Sequence, residues 1–185
     1  NRAEFMNRAR REFTRAKMNN EELSLLIMDL DNFKAINDTF GHAAGDEVIR
    51  EMGRIIKTNF RKTDIAGRLG GEEFAVVLKN TTLEEAMMVA EKFRETVANR
   101  IVNYREQDIS FKVSIGLAAL CDNTDIIYDI EDVLKMADDA LYKAKAKGRN
   151  CVAAFQCKLS GQTHQQHGGQ HVKRSGFKQE EVSFG

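Results

Sequence analysis

The sequence has little that would place it in a membrane or on a nucleic-acid polymer. It has no apolar run near the roughly 18 residues that a spanning helix requires, and its charged, helix-patterned start, NRAEFMNRARREF, differs from a signal peptide. Lysine plus arginine and aspartate plus glutamate number 28 each, so no global basic field favours nucleic acid or an anionic membrane. A small phosphate ligand needs only a local cluster of charge and is compatible with this balance.

Cysteine is also scarce. Cys121, Cys151 and Cys157 are an odd number at unrelated spacings, which is typical of free thiols in a reducing compartment rather than of a disulfide framework. We therefore expect a cytoplasmic domain. Because the sequence begins abruptly within a helical pattern, we also expect it to be a fragment of a longer protein.

Hydrophobic periodicity predicts ten elements. The helices are expected at 2–18, 32–39, 46–60, 83–100 and 131–147, and the strands at 24–30, 64–69, 72–79, 109–120 and 150–155. This order predicts an α/β fold (an α+β sandwich), with helices covering a central mixed sheet.

The domain is expected to span 1–157. Residues 158–185 are rich in Gly, Gln and His, a composition typical of a disordered tail. Three of the four histidines, His164, His167 and His171, lie there, and this context supplies no second shell for a metal site.

Two carboxylates follow the first predicted strand, at Asp29 and Asp31. If the strand continues, both lie on one face and could approach one hard cation such as Mg²⁺, with the Leu30 carbonyl as a further oxygen ligand. Asp31 could instead be the N-cap of the next helix. The residues alone leave both interpretations open.

Lys34 and Asn37 come one turn later, three residues apart on one helix face. A lysine and free amides near a helix N-terminus can bind phosphate, and an amide side chain can pair with a purine edge. The simpler interpretation is that both are solvated helix residues.

The run Gly41-His42-Ala43-Ala44-Gly45-Asp46 precedes a clear amphipathic helix. Asp46 could be the N-cap of that helix, or it could accept hydrogen bonds from the two donors of a guanine edge. His42 is assigned mainly a structural role in the loop or core.

Gly70 and Gly71 separate two apolar runs, a pattern typical of a β-hairpin whose turn has positive φ at both glycines. Glu72 and Glu73 follow directly, and two adjacent carboxylates are costly unless they are solvated or bound to metal. Neighbouring strand residues face opposite ways, so one of the two could meet Asp29 across adjacent strands and form a two-carboxylate cation site.

Four separated motifs, in order, make the chain similar to the GGDEF family of diguanylate cyclases: DLDNFKAINDTFGHAAGD, RLGGEEF, SIGLA and ADDALYKAKAKGRN. The resemblance covers residues 1 to about 155 and implies a palm-type cyclase fold with a mostly antiparallel five-stranded sheet ringed by helices. It also implies that two GTP molecules are joined into cyclic di-GMP with release of two pyrophosphates. Each domain would hold one GTP, so the resemblance implies a homodimer and an upstream sensory or dimerisation region.

The resemblance assigns a role to each position that matches the family. It implies Mg²⁺ or Mn²⁺, two ions per active site, held by Asp29, Glu72 and the Leu30 carbonyl. Glu72 would activate the 3′-hydroxyl, with Glu73 near the second metal. The remaining contacts to GTP are implied for Lys34, Asn32 and Phe33 at the phosphates, for Asn37, His42 and Asp46 at the guanine, and for Lys145 and Arg149 at the terminal phosphates.

Arg61 and Asp64 match the RxxD site at which family members bind cyclic di-GMP as an inhibitor. A planar guanidinium binds guanine and phosphate through paired hydrogen bonds. The family completes this site with a basic residue of the next helix, for which Lys92 and Arg94 are candidates. Two alternatives to an active, product-inhibited cyclase are an idle module that binds cyclic di-GMP or GTP, and a structural dimerisation domain.

Overall fold

The structure, a computed structural model, describes residues 1–120, 127 and 129–155. The predicted tail at 158–185, its histidines and the thiols of Cys121 and Cys157 lie outside these residues. Within them, no helix is both long and apolar enough to cross a membrane.

The described residues form five helices and seven strands. The helices are α1 (Arg2–Asn19), α2 (Phe33–Phe40), α3 (His42–Asn59), α4 (Leu83–Ala98) and α5 (Ile130–Ala146). The strands are β1 (Leu23–Leu30), β2 (Ile65–Gly70), β3 (Glu73–Lys79), β4 (Ile101–Tyr104), β5 (Gln107–Ser110), β6 (Val113–Ala119) and β7 (Val152–Ala154).

Five of these strands form the central sheet, in the order β2-β3-β1-β6-β7. Every neighbouring pair is antiparallel except β6 and β7, which are parallel and are separated along the chain by α5. The predicted fold class is therefore confirmed: a mixed, mostly antiparallel five-stranded sheet with helices packed against it. β1 is central and buried along its whole length, as its continuous apolar run predicts.

Alternation along β1 divides the core into two layers. Leu26, Met28 and Leu30 pack with residues of α3 and α4, whereas Leu25 and Ile27 pack with residues of α1 and α5. Because side chains alternate along a strand, Asp29 faces the same side as Leu25 and Ile27, which is the side of α5. The fold thus places an acidic group at the end of a buried strand, next to a helix.

Helix α5 lies unusually close to the sheet at Gly116 of β6. A Cβ atom on this residue would lie 2.0 Å from the Ala137 carbonyl oxygen and 2.3 Å from the Leu141 amide nitrogen. Both atoms belong to the helix backbone and cannot move aside as a side chain can. Glycine at this position therefore sets the distance between α5 and the central sheet.

The prediction of one strand at 109–120 was wrong, because the segment divides into β5 and β6, and β5 pairs with β4 in a separate hairpin. In this hairpin Val102 and Ile109 are buried while most of their neighbours are exposed. Its turn is formed by Arg105 and Glu106, both at positive φ. Neither residue type is typical of such a turn, so the sequence gives no clear signal for it.

The turn of the β2–β3 hairpin is displaced from its predicted position by one residue. Gly70 belongs to β2 and pairs with Glu73, so Gly71 and Glu72 form the turn. Gly71 has positive φ, at 42°, and Gly70 does not, so the expectation of positive φ at both glycines was wrong. As a result Glu72 lies at the tip of the hairpin and Glu73 begins β3.

Candidate active site

The carboxylates predicted to form a cation site converge at the end of β1. The strand register places Asp29 directly opposite Glu73, and the Leu30 amide donates to the Glu72 carbonyl oxygen over 3.3 Å. Lys145 of α5 reaches the same point, with Nζ 2.9 Å from Asp29 Oδ1. The structure thus brings together residues from three distant parts of the sequence.

The electrostatics of this cluster favour a bound cation. Burial raises the pKa of Asp29; the hydrogen bond and charge of Lys145 act against this, and the neighbouring charges of Glu72 and Asp31 raise it further. Burial also raises the pKa of Glu73, with Asp29 and Asp138 adding to the effect. Acidic groups that raise one another's pKa values are stabilised in their charged form by a positive ion between them.

The donor set fits a hard divalent ion that shares its coordination with a substrate. Within the described ranges, no group of three or more His, Cys, Asp or Glu side chains forms a complete metal site by itself. Mg²⁺ in phosphoryl-transfer sites is typically held by one or two carboxylates together with water and phosphate oxygens. Asp29 and Glu72 supply such a pair, so the residues present fit Mg²⁺ or Mn²⁺.

Asp31 is not the N-cap of α2, and its carboxylate is hydrogen-bonded to two distant parts of the chain. The N-cap of α2 is Asn32, which makes no side-chain capping hydrogen bond, so the interpretation of Asp31 as the cap was wrong. Its Oδ1 accepts from Ser114 Oγ over 2.6 Å, and its Oδ2 accepts from the Asn150 amide over 2.9 Å. Both carboxylate oxygens are thus bonded within the protein, through partners that the sequence pattern did not reveal.

The residues predicted to bind phosphate lie at the start of α2. Asn32 adopts a left-handed backbone conformation, with φ of 55°, and Phe33 and Lys34 follow as the first two residues of the helix. Amides at these positions have no partner inside the helix and can donate to an anion. The Lys34 side chain is 90% exposed and pairs with Asp38 over 3.1 Å, so it can rearrange at low cost.

The predicted guanine-binding residues lie where α2 and α3 meet. A Cβ on Gly45 would lie 1.9 Å from Asn37 Oδ1, so glycine at this position makes room for the Asn37 side chain. α3 begins at His42, earlier than expected, and its N-cap is Gly41. Asp46 is therefore exposed within the helix, and the interpretation of Asp46 as an N-cap was wrong.

The resemblance also places Lys145 and Arg149 four residues apart on the last helix, and for Arg149 this expectation was wrong. α5 ends at Ala146, and Gly148, Arg149 and Asn150 follow with φ values of 112°, 67° and 46°. The predicted stop near Gly148 is confirmed. The side chain of Arg149 is exposed, and among the described residues it forms no ion pair.

The predicted inhibitory residues line a groove at the edge strand β2. Arg61 is exposed, whereas Asp64 is buried and accepts from the Arg61 amide over 3.0 Å and from the Lys79 amide over 3.4 Å. Asp64 thus fixes the turn that presents Arg61. The groove has a volume of about 440 Å³, and its basic residues are Arg8, Lys57, Arg61, Lys62 and Arg68.

The two basic candidates on α4 differ in their availability. Arg94 pairs with Glu91 over 2.7 Å and donates to Asn150 Oδ1 over 3.2 Å, so it is already engaged. Lys92 is exposed and forms no ion pair within the part of the chain that the structure describes. Of the two, Lys92 is the one free to meet a ligand.

The mixed sheet, with carboxylates and a lysine at the end of its central strand, defines a mixed α/β domain whose site residues fit a divalent metal and a phosphate ligand. Comparison with known proteins gives the family: residues 1–151 match the family model described as "Diguanylate cyclase, GGDEF domain". The chain belongs to this family.

Among curated relatives, diguanylate cyclase A of Treponema denticola is 46% identical over 132 residues, which are 71% of this chain and 35% of that protein. The response regulator PleD of Caulobacter vibrioides is 41% identical over 140 residues, or 75% of this chain and 30% of that protein. This chain thus spans about a third of the length of the curated relatives it matches.

A solved structure, described as the active GGEEF domain of a diguanylate cyclase from Vibrio cholerae, superposes with a TM-score of 0.78 at 37% identity. The match covers 85% of this chain and 98% of that one. The GGDEF domain of DgcB from Caulobacter crescentus, solved in complex with c-di-GMP, superposes with a TM-score of 0.77 at 32% identity, covering 83% of this chain and 89% of that one.

Proposed function

We propose that this domain is a diguanylate cyclase, which condenses two GTP molecules into cyclic di-GMP and releases two pyrophosphates. The observation that carries the proposal is the meeting of Asp29, Glu73 and Lys145 at the end of β1, beside the turn that holds Glu72. Relatives named diguanylate cyclase support the same activity. The domain is proposed to span residues 1–157 and to work in the cytoplasm, where GTP is available.

Asp29, Glu72 and the Leu30 carbonyl would hold the divalent ions, Mg²⁺ or Mn²⁺, two in each site. When bound, these ions neutralise the charge that develops on the transferring phosphoryl group. Lys34 and the amides of Asn32 and Phe33 bind phosphate oxygens at the start of α2.

Substrate recognition uses the cleft between α2 and α3. Asn37 and Asp46 would bind the guanine edge, with His42 nearby, while Lys145 and Arg149 hold the terminal phosphates. Glu72 lies at the hairpin tip, where it can accept the proton of the attacking 3′-hydroxyl, and Glu73, opposite Asp29, would lie near the second metal. Catalysis then rests on positioning and on stabilisation of charge.

The chemistry requires two domains. Each copy binds one GTP, and the 3′-hydroxyl of one nucleotide attacks the α-phosphorus of the other, so the site is complete only when two copies face each other. We therefore propose a homodimer as the active form, brought together by an upstream region of the whole protein. At fixed GTP, the rate per domain is expected to rise with protein concentration.

Turnover tests the proposal directly. The purified chain is incubated with GTP and Mg²⁺ at high protein concentration, and cyclic di-GMP and pyrophosphate are measured by chromatography. Glu72→Gln should abolish product, while Glu22→Gln, at an exposed glutamate remote from the site, should not. A folded chain that binds cyclic di-GMP but forms none would instead favour the idle binding module.

Product inhibition through Arg61 and Asp64 forms the second part of the proposal. The cations of the groove beside them form no ion pair within the described ranges and suit the two phosphates of cyclic di-GMP. Calorimetry should detect binding of cyclic di-GMP that Arg61→Ala weakens. Arg105→Ala, which removes an exposed arginine from the β4–β5 turn, is the matched control and should leave the affinity unchanged.

A further inference from the structure

The turn that carries Arg149 has an unfavourable backbone conformation. Gly148, Arg149 and Asn150 are three consecutive residues with positive φ, and only the first is a glycine. Residues with a Cβ atom enter this region at a cost, and a run of them persists only where surrounding contacts hold it. The contacts around the turn therefore determine where Arg149 lies.

Asp31 supplies the contact that ties this turn to the sheet. The Asn150 amide donates to Asp31 Oδ2 over 2.9 Å, while Ser114 Oγ donates to Asp31 Oδ1 over 2.6 Å. The Asp31 amide in turn donates to the Lys112 carbonyl oxygen over 2.9 Å. With Asp31 only 7% exposed and Ser114 fully buried, the carboxylate is fixed between β6 and the turn.

Three further hydrogen bonds hold the turn from other sides. The Asn150 side-chain oxygen accepts from Arg94 Nη1 over 3.2 Å, and the amides of Gly148 and Arg149 donate to the carbonyl oxygens of Lys145 and Ala144 over 3.3 and 3.2 Å. The contact with Asp31 is the one that joins the turn to the residue directly after β1, two residues from Asp29. It is therefore the contact that fixes Arg149 relative to the acidic cluster.

We propose that Asp31 is a positioning residue for substrate phosphate binding, acting through the turn that carries Arg149 rather than through a metal. This inference rests on the proposed function, because it deepens the role given there to Arg149. Loss of the carboxylate releases the Asn150 amide, and the turn then loses the geometry that places Arg149 near the phosphates.

The substitutions at Asp31 separate this role from metal ligation. Asparagine can keep both contacts, since its oxygen accepts from the Asn150 amide and its amide group donates to the Ser114 hydroxyl. Alanine keeps neither contact. A positioning residue predicts that Asp31→Asn retains substrate affinity and Asp31→Ala loses it, whereas a metal ligand predicts that both fail and that excess metal restores binding.

The experiment measures, by calorimetry with Mn²⁺, the affinity of the whole chain for a non-hydrolysable GTP analogue. Asp31→Ala and Arg149→Ala should each weaken it by about tenfold, the loss of a charge-assisted contact. The double variant should be no weaker than either single variant, because both remove the same interaction. Ser114→Ala leaves the bond between Asp31 and Asn150 in place and should remain close to the native affinity.

Additive losses in the double variant, or unchanged affinity in Asp31→Ala, would overturn the inference. Asp31→Ser, which is too short to reach the Asn150 amide, replaces Asp31→Ala if that variant fails to fold. Failure of the proposed function looks different: the native chain would not bind the analogue, or Arg149→Ala would bind it normally. Circular dichroism and urea unfolding establish that each variant is folded.

Discussion

Lys145 Nζ lies 2.9 Å from Asp29 Oδ1. Lys145 is proposed to bind the substrate phosphates and Asp29 to bind the metal, yet in this structure the two side chains form an ion pair with each other. A divalent ion that binds Asp29 competes with the lysine, and a lysine released from Asp29 becomes available to a phosphate. The metal and the nucleotide are thus expected to favour each other's binding.

Removing this lysine tests the competition. In Lys145→Met, Asp29 loses the group that opposes the rise of its pKa, so its carboxyl group protonates at a higher pH. At pH 8, where Asp29 is charged in both proteins, the variant should bind Mn²⁺ more tightly than the native protein. As the pH is lowered, the Mn²⁺ affinity of the variant should begin to fall at a higher pH than that of the native protein. Calorimetric titration across pH 5 to about 8 measures both effects.

Lys143→Met provides the matched control, since Lys143 is an exposed lysine of the same helix that lies over the Phe155 ring. Its Mn²⁺ affinity should follow that of the native chain at every pH. Equal behaviour of the two variants would contradict the competition.

The close contact of Gly45 with Asn37 gives a prediction about base recognition. In Gly45→Ala the added methyl group would meet Asn37 Oδ1 at 1.9 Å, and the amide must leave its position between α2 and α3. Affinity for the GTP analogue should fall by about tenfold or more, the loss of a base contact, while affinity for pyrophosphate should be retained. Gly53→Ala, at an uncrowded position of the same helix, should change neither affinity. If Gly45→Ala lowered the affinities for the GTP analogue and for pyrophosphate equally, the assignment of Asn37 to the guanine would be refuted.

The approach of α5 to Gly116 predicts a large loss of stability. Gly116→Ala places a methyl group against helix backbone atoms, and relieving the overlap requires α5 to move from the sheet, at a cost of about 3 kcal/mol or more. Gly53→Ala should have the opposite sign, about 0.5–1 kcal/mol of stabilisation, because alanine is favoured over glycine within an uncrowded helix. Urea unfolding compares the two, and equal stability of the Gly116 variant would show that the sheet accommodates the methyl group.

The contact between Glu12 and Lys79 predicts a pH-dependent stabilisation of α1. Burial acts to raise the pKa of Glu12, but hydrogen bonds and charges from Arg15 and Lys79 outweigh it and lower the pKa below 4.5. The carboxylate thus stabilises the fold above the unfolded-state pKa, and this contribution is lost as pH falls through the lower folded-state pKa.

Glu12→Gln should therefore be less stable than the native protein by about 1–3 kcal/mol at pH 7, and the difference should shrink on acidification. Urea unfolding at pH 7 and at pH 4 provides the comparison. Glu84→Gln, at an exposed residue of α4, should show little difference at either pH. A deficit of Glu12→Gln that stays constant with pH would mean that packing, rather than charge, is responsible.

Local patterns predicted the elements that carry the site. The buried run before Asp29, the glycine pair of the hairpin and the helix that begins at residue 83 are all present in the structure. In each case the deciding interactions lie within a few residues, where sequence periodicity and capping rules apply.

Contacts between distant residues could not be predicted in this way. Asp31 is bonded to Ser114, 83 positions away, and to Asn150, 119 positions away, and no local pattern reports such partners. The position of Arg149 beyond the end of α5 was missed for a related reason. The left-handed conformation of Arg149 and Asn150 depends on tertiary contacts rather than on intrinsic preference.

Phe5 of α1 packs against Gly67 of the edge strand β2 so closely that a Cβ on the glycine would lie 2.6 Å from the phenylalanine Cβ. Three residues further along, the same strand reaches Gly70 and the hairpin that carries Glu72 and Glu73. α1 and β2 are thus in direct van der Waals contact at Gly67. We therefore expect a rotation or shift of α1 to displace β2 and, with it, the hairpin that carries Glu72 and Glu73.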